Sequence, residues 1–206
     1  QIEPMPTVDP AEVVMADPSV PEHRRFCTRC GNPVGRSQGD RPGRTAGFCS
    51  TCGARFDFTA KLRTGDVVAG QYEVAGALAH GGMGWIYLAR DRNVSGRWCV
   101  LKGLLDTADP DAAEAAVAER RFLAEVRHPN IVGIHNFVQH EGQGYIVMEY
   151  VGGPSLKQLA KQRREAGQGP MPVTEAAAYI LAVLPALGYL HDNGMLYCDF
   201  KPDNVI

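Results

Sequence analysis

Two copies of the pattern Cys-x-x-Cys-Gly constrain this chain more than any other feature of its sequence. The pairs are Cys27 with Cys30 and Cys49 with Cys52, and eighteen residues separate them. Each pair forms a knuckle that gives two thiolates to one metal, so two knuckles complete a tetrahedral four-sulfur site. The glycine after each pair permits the sharp turn that aims backbone amides at sulfur. The spacing predicts a small metal module, residues 23–64, that needs its metal as a core.

Two disulfides or a redox-active pair are the alternatives to a metal. A lone Cys-x-x-Cys is a weak signal, whereas a repeat at this separation strongly favours metal binding. The spacing does not decide between zinc and iron. Four phenylalanines flank the cysteines and are expected to pack around them: Phe26, Phe48, Phe56 and Phe58. The module is also rich in arginine, so a nucleic-acid-binding zinc ribbon is an alternative, although a solvated loop is the simpler interpretation.

The composition is that of an ordinary soluble globular protein. Of its 206 residues 45% are hydrophobic and 21% are charged, and the net charge is -2. Such a charge gives no general attraction to nucleic acid or to an anionic membrane, so neither partner is expected. The sequence predicts no membrane span and no signal peptide. Four of the six cysteines lie in the two pairs, which favours a reducing compartment and hence a cytoplasmic protein.

The first 22 residues contain five prolines with acidic residues between them. So many prolines prevent a regular helix and predict an extended arm. A plain disordered terminus is the simpler interpretation and the favoured one. The apolar residues Val13, Val14 and Met15 would also allow the arm to lie across a neighbouring surface.

From Gly65 onward the pattern predicts mixed α and β structure. Strands are expected over 72–79, 85–90, 98–102, 131–138 and 145–150, and helices over 156–165 and from Thr174. A glycine-rich segment, residues 80–84, joins the first two strands, and its backbone amides can approach phosphates closely. Lys102 ends an apolar strand. Glu119 lies on the apolar face of a helix that Asp109 caps, which makes it the candidate partner of Lys102.

The segment from Asp199 to Asn204 has the residues that phosphoryl transfer requires. The Asp199 carboxylate can accept the proton of an attacking hydroxyl, Lys201 can neutralise charge on the phosphoryl group, and Asn204 can ligate magnesium. Taken alone, the segment could equally be a surface turn.

The glycine-rich hairpin, the strand lysine, the helix glutamate, a hinge after residue 150 and the Asp199 segment occur in the order found in eukaryotic-like protein kinases. With the cysteines in front, the chain resembles the protein kinase G family of mycobacteria and related actinobacteria, whose kinase domain follows a rubredoxin-like module. The resemblance implies an α+β fold. Residues 65–151 would form the kinase N-lobe, an antiparallel sheet plus one helix, and residues 152–206 the start of the helical C-lobe.

The resemblance also implies a serine/threonine protein kinase that uses ATP and Mg²⁺ to phosphorylate a protein substrate. The residues implied to be catalytic are Lys102, Glu119, Asp199 and Lys201. Those implied to bind ATP are Ala79, Gly81, Gly82, Met83, Gly84, Ile86, Lys102, Met148, Glu149, Tyr150 and Val151, with Asn204 as a magnesium ligand. A metal- or redox-responsive role is expected for the cysteine module. The alternative to an active kinase is a pseudokinase that binds nucleotide and acts as a scaffold.

Two departures from the family pattern bear on regulation and activity. Tyr197 and Cys198 replace the His-Arg that normally precedes the catalytic aspartate, and Cys198 cannot pair with a phosphate on an activation loop. We therefore expect no need for phosphorylation of that loop. The sequence stops at Ile206, before the second magnesium-binding segment, so these residues alone are expected to be inactive.

Overall fold

A computed structural model describes residues 9–81, 84–104 and 125–206 of the chain. Four sequence predictions fall outside these residues: the nucleotide-binding roles of Gly82 and Met83, the helix start at Asp109, and the position of Glu119 on that helix.

Within the described residues the strands form two antiparallel sheets. They are β1 (Ala46–Phe48), β2 (Arg55–Asp57), β3 (Val67–Val68), β4 (Tyr72–Gly81), β5 (Gly84–Asp91), β6 (Arg97–Gly103), β7 (Ile134–His140) and β8 (Gln143–Glu149). Strands β1 and β2 pair in the metal module, and the other six form a sheet in the order β3-β4-β5-β6-β8-β7. All five strands predicted after Gly65 are present, although their ends move by up to three residues.

The register of the large sheet gives it two chemically different faces. On one face Lys102 lies directly opposite Ile86 of β5 and Ile146 of β8. Because successive side chains of a strand point to opposite faces, the neighbouring row lies on the other face. That row contains Tyr87 and Leu101, which are both buried. The predicted nucleotide-binding residues Lys102 and Ile86 therefore share one face, which we call the lysine face.

The metal module covers the face opposite the lysine face and shares its hydrophobic core. Module residues Val34, Phe58 and Leu62 belong to the same buried cluster as Tyr87 and Leu101 of the sheet. By packing on the sheet, the small module buries apolar surface that it could not bury alone. The metal site and the sheet are thus two parts of one packed body.

The arm lies against the sheet from residue 9 onward, so a disordered terminus is the wrong interpretation for that part. The Met15 amide donates to the Ala77 carbonyl of β4 at 2.7 Å. A Cβ on Gly76 would come within 2.9 Å of Val14, which shows how closely the arm approaches. Val20 is buried in the shared core.

Two α-helices follow the sheet: α1 (Leu156–Glu165) and α2 (Val173–Asp192). Ser155 caps α1 through a capping box with Gln158, which satisfies two of the amides left free at a helix start. Helix α2 contains Pro185. By length and composition alone α2 could cross a membrane. That is a weak indication, because core helices of soluble proteins meet the same criteria.

Candidate functional site

The four predicted metal ligands converge on one point. Their Sγ atoms all lie within 4.8 Å of one another. Cys27 Sγ is 3.5 Å from Cys52 Sγ, and Cys30 Sγ is 3.6 Å from Cys49 Sγ. A tetrahedral site with metal–sulfur bonds of about 2.3 Å requires sulfurs about 3.8 Å apart, so the arrangement fits a bound metal.

Each knuckle is closed by a backbone turn that only glycine adopts readily. The Gly31 amide donates to the Cys27 carbonyl and the Gly53 amide to the Cys49 carbonyl, both at 2.9 Å. The φ angles of Gly31 and Gly53 are +71° and +70°, in the left-handed region that is costly for other residues. The two halves of the site therefore have the same local geometry, as the repeated sequence pattern predicts.

Backbone amides prepare two of the cysteines to bind as thiolates. Amide hydrogen bonds from Cys52 and Thr51 lower the pKa of Cys49 to about 6. A hydrogen bond from the Cys30 amide, the largest influence, lowers the pKa of Cys27. Because the thiolate is the form that binds metal, these amides favour the metal-binding form of Cys27 and Cys49, whereas burial and hydrogen bonds with the other thiols raise the pKa of Cys52.

The expectation that four phenylalanines surround the metal is wrong for two of them. Phe58 is buried and Phe56 packs against the shared core. Phe48, however, is 74% exposed and Phe26 is 46% exposed. Gly47, on β1, turns toward the Phe56 ring, so its neighbour Phe48 must point away from it.

The Asp199 segment brings its predicted residues together. The Lys201 ammonium donates to both carboxylate oxygens of Asp199 at 2.8 Å. The Asn204 Nδ2 donates to the Asp199 carbonyl at 2.9 Å and to its Oδ2 at 3.0 Å. Hydrogen bonds from Lys201 and Asn204 lower the pKa of Asp199, which keeps the carboxylate ionised.

Helix α1 fixes the end of this segment, a connection that the sequence did not predict. The Lys157 ammonium lies 2.7 Å from Asp203 Oδ1. The Leu156 amide donates to the Val205 carbonyl at 2.9 Å. These contacts hold the 3-10 turn Pro202–Asn204 against the start of α1.

Lys102 lies half-buried at the end of β6 on the lysine face. Burial lowers its pKa, the charge of Asp199 raises it, and the charge of Lys201 lowers it. Lys102 and the Asp199 segment therefore act on each other electrostatically, although 97 positions separate them in the sequence.

Strand β4 ends at Gly81 and β5 begins at Gly84, both within the glycine-rich segment. Gly81 pairs with Gly84, and Ala79 lies opposite Ile86. Gly84 has a φ of +120°, which a residue with a Cβ rarely adopts. The lack of side chains at Gly81 and Gly84 is compatible with the predicted approach of backbone amides to phosphates.

The predicted gatekeeper and hinge residues lie at the end of β8 and just beyond it. Met148 lies opposite Val100 of β6 on the lysine face. The Glu149 amide donates to the Gly133 carbonyl at 2.8 Å, and its carboxylate accepts from the Gly133 amide at 3.2 Å. Tyr150 and Val151 lie beyond the strand, where the chain passes toward α1.

A junction between the module and the glycine-rich hairpin was missed by the sequence reasoning. The Trp85 indole N–H donates to the Phe58 carbonyl at 3.1 Å. The His80 ring lies edge-on between Phe58 and Trp85, with centroid distances of 5.7 and 5.1 Å. The Tyr87 hydroxyl accepts from the Lys61 amide at 2.9 Å. The sequence signal for this junction is the pair of large aromatic residues Trp85 and Tyr87 at alternate positions, which indicates that one face of β5 is buried.

Comparisons with known protein families match nearly the whole chain. The protein kinase G rubredoxin domain matches residues 1–62. The protein kinase domain matches residues 72–206, which contain the lysine face, the glycine-rich hairpin and the Asp199 segment.

The chain is similar to serine/threonine-protein kinase PknG of Mycolicibacterium smegmatis, with 51% identity over 98% of this chain and 26% of the relative. Against PknG of Mycobacterium leprae the identity is 51% over 97% of this chain and 27% of the relative. The chain thus spans about a quarter of the length of these curated relatives. The crystal structure of the Mycobacterium tuberculosis PknI kinase domain aligns with a TM-score of 0.59 and 33% identity, covering 69% of this chain and 56% of that one.

Proposed function

The chain belongs to the protein kinase family, and we propose that it supplies the nucleotide-binding part of a serine/threonine protein kinase that carries a protein kinase G rubredoxin domain. One observation carries the proposal: Asp199, Lys201 and Asn204 form a single hydrogen-bonded group that acts electrostatically on the half-buried Lys102.

Each of these residues has a defined part in the proposed reaction. The Asp199 carboxylate accepts the proton of a Ser or Thr hydroxyl of the substrate. The oxygen of that hydroxyl bonds to the γ-phosphorus of ATP, while the bond from this phosphorus to the oxygen that bridges it to the β-phosphorus breaks and ADP leaves. Lys201 stabilises the negative charge on the transferred group. Lys102 holds the α- and β-phosphates against the glycine-rich hairpin. Glu119 would orient Lys102.

Asn204 is suited to hold magnesium. Its Nδ2 donates to Asp199, so its amide oxygen is the atom that can face a cation. Mg²⁺, when bound, neutralises charge on the phosphates. Hard oxygen ligands are the type that Mg²⁺ prefers, so the chemistry of this side chain fits the ion.

Phosphate transfer from radiolabelled ATP to a protein substrate tests the proposal. The chain would be extended to the length of its relatives and compared with Asp199→Asn and Lys102→Met. Loss of the general base should reduce turnover at least about a hundredfold. Lys161→Met removes a lysine on the exposed surface of α1 and should leave turnover unchanged. No transfer by the wild type, with ATP still bound, would instead indicate a pseudokinase scaffold.

For the four-cysteine site we propose either zinc or iron, since both accept four thiolates in a tetrahedron. Elemental analysis and the visible absorption spectrum of the purified protein distinguish the two metals. A cytoplasmic location is consistent with four closely placed free thiols, because oxidising compartments favour disulfides.

We further propose that the metal module supports nucleotide binding through the junction with the hairpin. Trp85 and His80 contact Phe58 of the module on one side of the hairpin, and Ile86, the residue after Trp85, lies on the lysine face. Loss of the metal would loosen the module and with it the hairpin. Equal ATP KM values for the complete kinase with and without its four thiolates would refute this role.

A further inference from the structure

The metal module carries a charge that the rest of the chain does not share. Residues 23–64 contain nine lysines and arginines and two acidic residues, a net charge of +7, within a chain whose net charge is -2. The arm before the module contains five acidic residues and no lysine or arginine. Such a concentration of one sign of charge on a small module attracts oppositely charged partners to it.

Two of the module's arginines donate hydrogen bonds to backbone carbonyls of the module or the arm. The Arg25 guanidinium is buried and donates to the Val20 carbonyl at 2.8 Å and to the Gly35 carbonyl at 2.9 Å. Arg36 donates to the His23 carbonyl at 3.0 Å and lies over the Phe26 ring. Both therefore stabilise the fold of the module.

Other arginines of the module point into solvent. Six of them are exposed, and within the described ranges no hydrogen bond or ion pair of their side chains is found: Arg24, Arg29, Arg41, Arg44, Arg55 and Arg63. An unpaired surface guanidinium is available to a carboxylate, which it can bind through two parallel hydrogen bonds.

Arg55 stands beside the most exposed aromatic ring of the module. It lies directly opposite Phe48 in the register of β1 and β2, so both side chains share the outer face of this strand pair. We call these two residues the Phe48–Arg55 face. The nearest acid in the pair, Asp57, is already bonded to Lys61, so it does not cancel the charge of Arg55.

We propose that the Phe48–Arg55 face docks an acidic segment of a protein partner that also carries an apolar side chain. This inference rests on the proposed kinase function, for which the natural partner is the protein substrate. An arginine next to an exposed aromatic ring is the combination that dominates the energy of protein interfaces. The charge of the module would steer an acidic segment to the face and increase its rate of association.

A single-stranded nucleic acid is the less suitable occupant. It would require successive aromatic side chains along a continuous basic groove. Strands β1 and β2 present one exposed ring at this face, that of Phe48. The acidic arm contacts the module through Glu22, which accepts from the Ser37 amide at 2.7 Å.

Fluorescence anisotropy with defined probes tests the proposal. The probes are a labelled peptide rich in Asp, Glu and Leu, its counterpart with Asn and Gln in place of the acids, and a single-stranded oligonucleotide of matched length. The acidic peptide should bind the chain. Phe48→Ser and Arg55→Gln should each weaken that binding at least about tenfold. The matched control, Arg164→Gln, changes an exposed arginine on α1 and should alter the affinity less than about twofold.

A second measurement does not depend on the affinity of the variants. A chain with Phe48→p-benzoylphenylalanine should crosslink to the acidic peptide on illumination, and metal content and circular dichroism check that every variant is folded. No peptide binding, equal weakening by Arg164→Gln, or a preference for the oligonucleotide would overturn the proposal. Since neither measurement involves phosphate transfer, a failure here is distinguishable from a failure of the kinase function.

Discussion

Removing one hydroxyl group should weaken the attachment of the metal module to the sheet. Tyr87 lies in β5 and is 1% exposed. Its hydroxyl accepts hydrogen bonds from the Lys61 amide at 2.9 Å and from the Leu62 amide at 3.3 Å. Tyr87→Phe keeps the ring and its packing but leaves both amides without this acceptor.

The size of the effect follows from the two bonds. Leaving a buried amide unsatisfied costs about 1–3 kcal/mol. Leu62 is buried, whereas Lys61 is exposed, so water can replace the bond to the Lys61 amide in part. We therefore expect the free energy of unfolding to fall by about 2 kcal/mol, which corresponds to a roughly thirtyfold smaller folding equilibrium constant.

Urea denaturation followed by circular dichroism measures this change, with the slope m expected to stay constant. The matched control is Tyr197→Phe, because the Tyr197 side chain is 41% exposed and should lose less than about 0.5 kcal/mol. A loss below about 0.5 kcal/mol for Tyr87→Phe would show that the junction bonds do not hold the module to the sheet.

Two further predictions concern the fold of the module. Gly35→Ala should lower the free energy of unfolding by about 3 kcal/mol, because φ is +63° and the new Cβ would clash with the Arg44 carbonyl oxygen. The matched control, Gly39→Ala, has a φ of +55° and open space around it, so it should lose only about 1 kcal/mol. Equal losses for the two variants in urea denaturation would refute the steric argument. Hydrogen bonds from the Ser37 amide and then from its hydroxyl lower the pKa of Glu22 from its ordinary value. The ionised carboxylate therefore stabilises the folded state above the unfolded-state pKa, and this contribution is lost as the pH falls through the lower folded-state pKa. Glu22→Gln should therefore flatten the acid side of a plot of Tm against pH, and an unchanged slope would contradict this.

Features that depend on local sequence were predictable. The four ligands converge because each knuckle is a five-residue turn whose glycine fixes its geometry. Asp199 and Lys201 lie two positions apart, so their contact needs no distant element. Helix α1 has the predicted bounds since Ser155 and Gln158 form a capping box.

Features that depend on contacts between distant residues were not predictable. Trp85 meets Phe58 across 27 positions, and no pattern in either segment specifies that partner. The position of Phe48 next to Cys49 suggested that its ring packs around the metal site. The direction of the ring is instead set by the register of β1 and β2. That register places Gly47, rather than Phe48, against the module interior.

The most direct test of the central claim is a calorimetric titration of ATP with Mg²⁺ into the chain extended to the length of its relatives. Lys102 is half-buried on the lysine face, so Lys102→Met should weaken ATP affinity at least about tenfold. Lys161→Met should leave it unchanged. Equal affinities for the wild type and Lys102→Met, or no binding by the wild type, would contradict the assignment of this face to nucleotide.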